Sequence, residues 1–122
     1  MTEGPSDTAE WTSQSDWLRA VREWTVSGDF VSMCAAQRMS ISAATVATVA
    51  RVWAQYADRR TGRNTVVTKS RLAEEVGCNA KTVQRAWAAL QAAGFAIEVS
   101  RGHGSPGVAQ NRPSVWRLVN RP

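Results

Sequence analysis

Cysteine, histidine and lysine are all scarce in this 122-residue chain. The two cysteines, Cys34 and Cys78, cannot by themselves make a disulfide scaffold or a zinc site. His103 is the single histidine, and no triad spacing or metal-ligand cluster surrounds it. No apolar run approaches the roughly 18–20 residues of a membrane span. The first residues, MTEGPSDTAEWTSQSD, are acidic and polar, unlike a signal peptide. Gly102, Gly104 and Gly107 are followed by no Gly-Lys-Ser/Thr, which excludes a phosphate-cradling P-loop. The expectation is an intracellular, soluble, reduced protein that is not an enzyme, with no catalytic residues, no metal and no cofactor.

What is present is one domain's worth of chain, with ordinary apolar (43%) and charged (20%) content. Two features depart from the ordinary: six tryptophans, and a net charge of +5. The charge is uneven. Residues 1–57 carry four basic and six acidic residues, a net −2, and residues 58–122 carry eleven and four, a net +7. A basic half beside a near-neutral one fits a polyanionic partner such as nucleic acid, although it also serves as a solubilising surface. Only Lys69 and Lys81 are lysines; the other basic residues are arginines. Arginine's planar fork suits phosphate and guanine edges, and a GC-rich genome gives the same bias.

Residues 1–14 read as a disordered leader. A short amphipathic helix over 16–24 follows, capped by Ser15, with Trp17, Val21 and Trp24 on one face. Gly28 and Asp29 end it, and 30–39 reads as a second short helix. A stronger helix spans 43–57 behind Ser40 or Ser42, with Val46, Val49, Ala50, Trp53 and Tyr56 or Ala57 inward. Residues 59–64 form a basic turn and 65–68 a β-branched strand. A two-turn helix over 70–76 buries Leu72, Ala73 and Val76. Gly77 sits at its C-cap, Asn79 caps the next helix over 80–93, and Gly94 stops that one. Residues 95–99 and 114–119 alternate as two strands around a glycine-rich loop at 101–112. The chain divides into a leader (1–14), an N-terminal helical extension (15–42) and a main domain (43–122).

Helix, glycine turn, helix and hairpin is the layout of a winged helix-turn-helix, a mainly α fold with a small β-hairpin wing (α+β). If Val83, Ala86, Trp87 and Leu90 face the core, then Lys81, Thr82, Gln84, Arg85 and Ala88 face out. The major groove admits one helix. Gln84 suits adenine and Arg85 suits guanine, whereas Lys81 and Thr82 lie near a helix N-terminus that favours phosphate. Lys69, Ser70 and Arg71 open the preceding helix as backbone contacts, and Arg101 and Arg112 flank the wing. His103 is either a wing-tip phosphate contact or a solvated loop residue. Cys78 reads as a turn filler, and Glu74 and Glu75 as solvated.

The run TKSRLAEEVGCNAKTVQRAWAALQAAGFAIEVSRG, residues 68–102, resembles the helix-turn-helix of bacterial winged-helix regulators of the GntR type. The matching residues are Leu72, Ala73, Glu74, Glu75, Val76 and Gly77, then Thr82, Val83 and Leu90, and finally Gly94 and Phe95. The flanking stretches VARVWAQYADRRTGRNTVV and RPSVWRL are similar to helix-turn-helix domains of actinobacterial phage and plasmid replication or regulatory proteins. The resemblance implies DNA contacts by Ser70, Asn79, Ala80, Lys81, Thr82 and Gln84, with the wing glycines near the backbone. Ala80 stands where those regulators often carry arginine, and no ligand-binding domain follows the wing within these residues.

The expectation is a sequence-specific, double-stranded DNA-binding protein of the cytoplasm and nucleoid, acting in transcription or replication control. The alternative is a protein-interaction adaptor on the same scaffold. Trp53, Trp87 and Trp116 fall on core faces. Trp11, Trp17 and Trp24 either pack the N-terminal segment onto the domain or form an exposed patch, and that segment is the expected homodimer contact.

Overall fold

The computed structural model describes residues 11–100 and 113–120. Four of its helices begin at a side-chain cap, each worth about 1 kcal/mol. Ser13 accepts from the Asp16 amide and opens α1, Gln14–Thr25. Ser42 accepts from Thr45 and opens α3, Ala43–Trp53. Thr68 accepts from Arg71 and opens α4, Lys69–Val76. Asn79 accepts from Thr82 and opens α5, Ala80–Ala92. The remaining helix, α2 (Gly28–Ala36), has no side-chain cap. Three short strands, β1 (Thr65–Val66), β2 (Ala96–Ser100) and β3 (Val115–Leu118), form an antiparallel sheet in the order β1-β3-β2. The fold is therefore mainly helical with a small sheet, as its α+β class requires.

Several boundaries differ from the sequence reading. Ser13, not Ser15, caps α1, because its hydroxyl sits three residues ahead of a free first-turn amide. Gly28 and Asp29 do not end a helix without starting another: they open α2. The helix expected over 43–57 tightens to a 3-10 turn at Ala54–Tyr56. The β-branched run at 65–68 is a strand for two residues only, since the Thr68 hydroxyl is taken up by capping. In the stretch 95–99, Ile97 and Val99 face solvent, while Phe95, just before β2, and Ala96 are buried. A register shift between Glu98 and Ser100 interrupts that strand's pairing.

One continuous core holds the chain together, with two aromatic clusters at its heart. Trp53 stacks on Trp87 with centroids 4.7 Å apart, and Trp116 meets both at 5.3 and 5.6 Å. This cluster joins α3, α5 and β3. The second cluster joins the N-terminal segment to the sheet: Trp17 meets Phe95 edge-on at 6.4 Å, and Trp24 lies 5.4 Å from Phe95 and 5.1 Å from Phe30. The Trp17 indole is fully buried, and its N–H donates to both the Phe95 carbonyl (3.1 Å) and the Val119 carbonyl (3.0 Å). Trp17, Val21, Trp24 and Phe30 of the N-terminal segment thus belong to that same core. Trp11, expected in a disordered leader, is also buried; it lies 6.3 Å from Trp17 and donates to the Arg59 carbonyl at 2.8 Å. Trp17, Val21 and Trp24 are buried, whereas Val26 and Val31 of the same segment are exposed.

The basic turn at 59–64 is held from within. Asp58 accepts from the amides of Arg60 and Thr61, and Gly62 donates to the Asp58 carbonyl at 2.7 Å. The bond from the Arg60 amide, and then that from the Thr61 amide, hold the Asp58 carboxyl below its usual range. Gly62 has φ +71°, and its carbonyl accepts from Leu118 at 2.8 Å. A Cβ there would lie 2.5 Å from the Leu118 carbonyl oxygen and 2.6 Å from the Trp11 ring. Gly62→Ala is expected to lose at least about 2 kcal/mol of stability in urea denaturation, from backbone strain and the clash together. Trp17→Phe keeps the aromatic bulk but loses both bonds, and is expected to lose about 1–2 kcal/mol. A loss below about 0.5 kcal/mol for either would contradict these roles.

Candidate nucleic-acid interface

The α4–α5 pair is positioned by a glycine turn. Gly77 takes the left-handed conformation (φ +87°) and donates to the Ala73 carbonyl at 2.8 Å, ending α4. Cys78 donates to the same carbonyl, and Asn79 begins α5 immediately afterwards. From there the helical period sorts α5 into two faces. Val83, Ala86, Trp87, Ala89 and Leu90 are buried, whereas Lys81, Gln84, Arg85 and Ala88 are exposed. The inward face lies on Trp53 and Trp116, which fixes the outward face against the rest of the fold.

Two grooves run beside that outward face. One, of about 440 Å³, lies between α5 and the β2–β3 strands and is lined by Lys69, Gln84, Trp87, Ala88, Glu98 and Trp116, among others. Lys69 Nζ sits 5.9 Å from the Trp87 ring centroid, a cation–π distance that places the first residue of α4 beside α5. The second groove, of about 380 Å³, is lined by Lys81, Gln84, Arg85, Ala88 and Met39. Gln84 and Ala88 line both, so they form the ridge between them. Periodicity within α5 carried no signal for Met39, because it arrives from the α2–α3 connection, more than forty residues earlier in the sequence.

The expected site residues fall into five groups, the last of them Arg71 alone. Lys81, Gln84 and Arg85 come together on the exposed ridge. Lys69 and Ser70 are exposed at the start of α4. Asn79 and Thr82 lie at the α5 N-terminus, but they are joined to each other. Asn79 Oδ1 accepts from the Thr82 amide at 2.8 Å and its hydroxyl at 3.0 Å, so both side chains already serve the cap. Arg101, His103 and Arg112 lie outside the described residues, as does the loop expected to form the wing tip.

Arg71 is exposed, yet its Nε donates to Glu75 Oε2 at 2.9 Å. The Tyr56 hydroxyl donates to that same carboxylate. Glu75, read from sequence as merely solvated, therefore links α4 to the 3-10 turn after α3. The Tyr56 bond, and then the Arg71 bond, hold the Glu75 carboxyl below the usual glutamate range, while the bond to Glu75 pushes the Tyr56 phenol up. No group of three or more His, Cys, Asp or Glu side chains suited to a metal occurs among the described residues, where Cys34 and Cys78 are both free thiols. None of their helices is long and apolar enough to cross a membrane.

Comparison with known proteins gives no match: no family model, no curated protein and no solved structure is similar to the chain.

A lowered carboxyl pKa contributes stability that is fully present above the ordinary glutamate value of about 4.3, and that stability is lost as the pH falls through the lowered one. Glu75→Gln is thus expected to melt below the native chain at pH 7, with the gap narrowing as the pH falls below the ordinary glutamate value. Thermal melts across that range check it; a gap that stays constant with pH would show that the carboxylate charge is not what joins α4 to Tyr56.

Proposed function

We propose that this chain is a winged-helix protein that binds double-stranded DNA, with α5 entering the major groove and the β2–β3 hairpin as the wing. The observation that carries the reading is the outward face of α5. Lys81, Gln84 and Arg85 project from a helix that is held from behind by stacked tryptophans and flanked by an antiparallel hairpin. An α-helix with its side chains is about 10–12 Å across, and the major groove is about 12 Å wide. The strand order β1-β3-β2, with the two-helix unit between β1 and β2, agrees with this architecture.

The distribution of charge at helix ends supports an anionic partner. A helix N-terminus carries partial positive charge and is stabilised by acidic residues, by about 0.3–1 kcal/mol each. The first turns of α1 and α2 obey this with Asp16 and Asp29. The first turns of α4 and α5 hold no acidic residue and instead bring Lys69 and Lys81, while Arg71 is already paired with Glu75. Basic residues there work against the dipole unless an external anion sits opposite. Phosphate is such an anion, and helix N-termini bind it readily. Lys69, Ser70 and Lys81 then hold the backbone, and Gln84 and Arg85 read base edges; Arg101 and Arg112, which flank the wing in sequence, are further phosphate contacts that this reading expects.

On this reading the chemistry is binding alone, and the role is transcriptional regulation or replication control in the cytoplasm, at the nucleoid. An adaptor acting through Trp17 and Trp24 is less well supported, because both side chains are committed to the core.

Fluorescence anisotropy on duplexes across a salt series tests the proposal. Affinity is expected to fall linearly with log salt. Lys69→Ala should weaken all sequences alike and reduce the slope by about one unit. Arg85→Ala should lose about 1–3 kcal/mol on the preferred site and relax preference at one base pair. Duplex binding that is absent, or that ignores salt, overturns the reading.

A further inference from the structure

The connection between α2 and α3 carries an arginine where the backbone asks for glycine. The end of α2 is a Schellman motif: Arg38 donates to the Ala35 carbonyl at 3.2 Å and Met39 to the Cys34 carbonyl at 2.9 Å. In this motif the residue after the C-cap takes the left-handed conformation and is usually glycine. Here that residue is Arg38, at φ +51°. Elsewhere among the described residues, left-handed backbone falls on Gly62, Gly77, Gly94 and Asn64, which are residue types that accept it. Arg38 is therefore held at a disfavoured backbone position, and a strained residue kept in place is grounds for asking what its side chain does.

Its place in the fold supplies an answer. The next residue, Met39, lines the groove beside the α5 ridge together with Lys81, Gln84, Arg85 and Ala88. The turn thus stands against the outward face of α5, on the side opposite the β2–β3 strands. Gln37, Arg38 and Ser40 are exposed there, and the first turn of α3 that follows holds no acidic residue. Arg38 is also the one basic residue between Arg22 and Arg51. An exposed cation one residue before Met39, which shares a groove with Lys81 and Arg85, is chemically complementary to a phosphate strand bordering the groove that α5 would occupy.

We infer that Arg38 contacts the DNA backbone, so that the α2–α3 turn widens the duplex footprint beyond the helix-turn-helix and wing. The inference rests on the DNA-binding reading above. It assigns the N-terminal segment a binding role in addition to its packing role, and it explains why arginine occupies a site that glycine would fill with less strain.

The test compares Arg38→Gly, Arg38→Lys, Arg85→Ala and the native chain by circular dichroism melts and duplex anisotropy from about 50 to 200 mM salt. Glycine suits the left-handed turn, so Arg38→Gly should melt at or a few degrees above the native temperature. Its duplex affinity should nevertheless fall, on the order of fivefold at 0.1 M salt and equally for all sequences, with the salt slope reduced by about one unit. Arg38→Lys should keep the native slope. If Arg38→Gly matches the native affinity and slope while Arg85→Ala loses binding, the turn lies outside the footprint: the inference fails and the DNA reading stands. If the native chain itself shows no salt-dependent duplex binding, both fail.

Discussion

The Trp17 indole N–H, shared between the carbonyls of Phe95 and Val119, ties three distant parts of the chain to one point. Phe95 leads into β2 and Val119 follows β3, and the Val119 amide also donates to the Phe95 carbonyl at 2.9 Å. The sheet's short strands leave little room for hydrogen bonding to fix their ends, and a short antiparallel sheet is marginal without a helix packed on it. Trp17 supplies that packing from α1. The same side chain anchors the N-terminal cluster, with Trp11 on one side and Phe95 on the other. α1 is accordingly tied to the residues that enter β2 and leave β3.

From this anchor, rigidity passes to α5. β3 carries Trp116 into contact with Trp53 and Trp87, and α4 packs against both α3 and α5. Stacked and edge-on aromatic pairs add about 0.5–1.5 kcal/mol each beyond the area they bury. A helix that must present three polar side chains at a fixed angle gains from such a platform, because large flat side chains have few rotamers to lose. Gly62 belongs to the same scheme. Its missing Cβ lets the 59–64 turn close on Trp11 and on the end of β3.

Much of this was legible from local rules. The Gly77 C-cap, the Asn79 cap and the sorting of α5 into Val83, Ala86, Trp87 and Leu90 against Lys81, Gln84 and Arg85 follow from backbone conformation and a 3.6-residue period, both of which act within a few residues. What escaped was set by contacts far apart in sequence. Trp11 lies in a polar stretch whose composition reads as disordered, and its burial depends on Arg59, forty-eight residues away. Glu75 looked solvated because its Tyr56 partner comes from another element. Ile97 and Val99 face outward because the pairing of β2 with β3 decides the face, and alternation alone does not reveal which set points inward. The α2–α3 turn escaped for the same reason. Nothing in residues 37–42 announces α5 as a neighbour.

The hydrogen bonds also divide the candidate interface into separable parts. Asn79 and Thr82 serve the α5 cap, and Arg71 is tied to Glu75, so changing any of them perturbs the fold along with any contact to a ligand. Gln84 and Arg85 sit on an exposed ridge whose support comes entirely from the opposite face of the helix. Surface positions of that kind usually change stability by less than about 0.5 kcal/mol. On the DNA-binding reading proposed above, Gln84 and Arg85 can vary without disturbing the platform behind them, whereas the capping residues are constrained by folding in any case. The tryptophans behind α5 carry the structure, and on the proposed reading the ridge in front is free to carry the specificity.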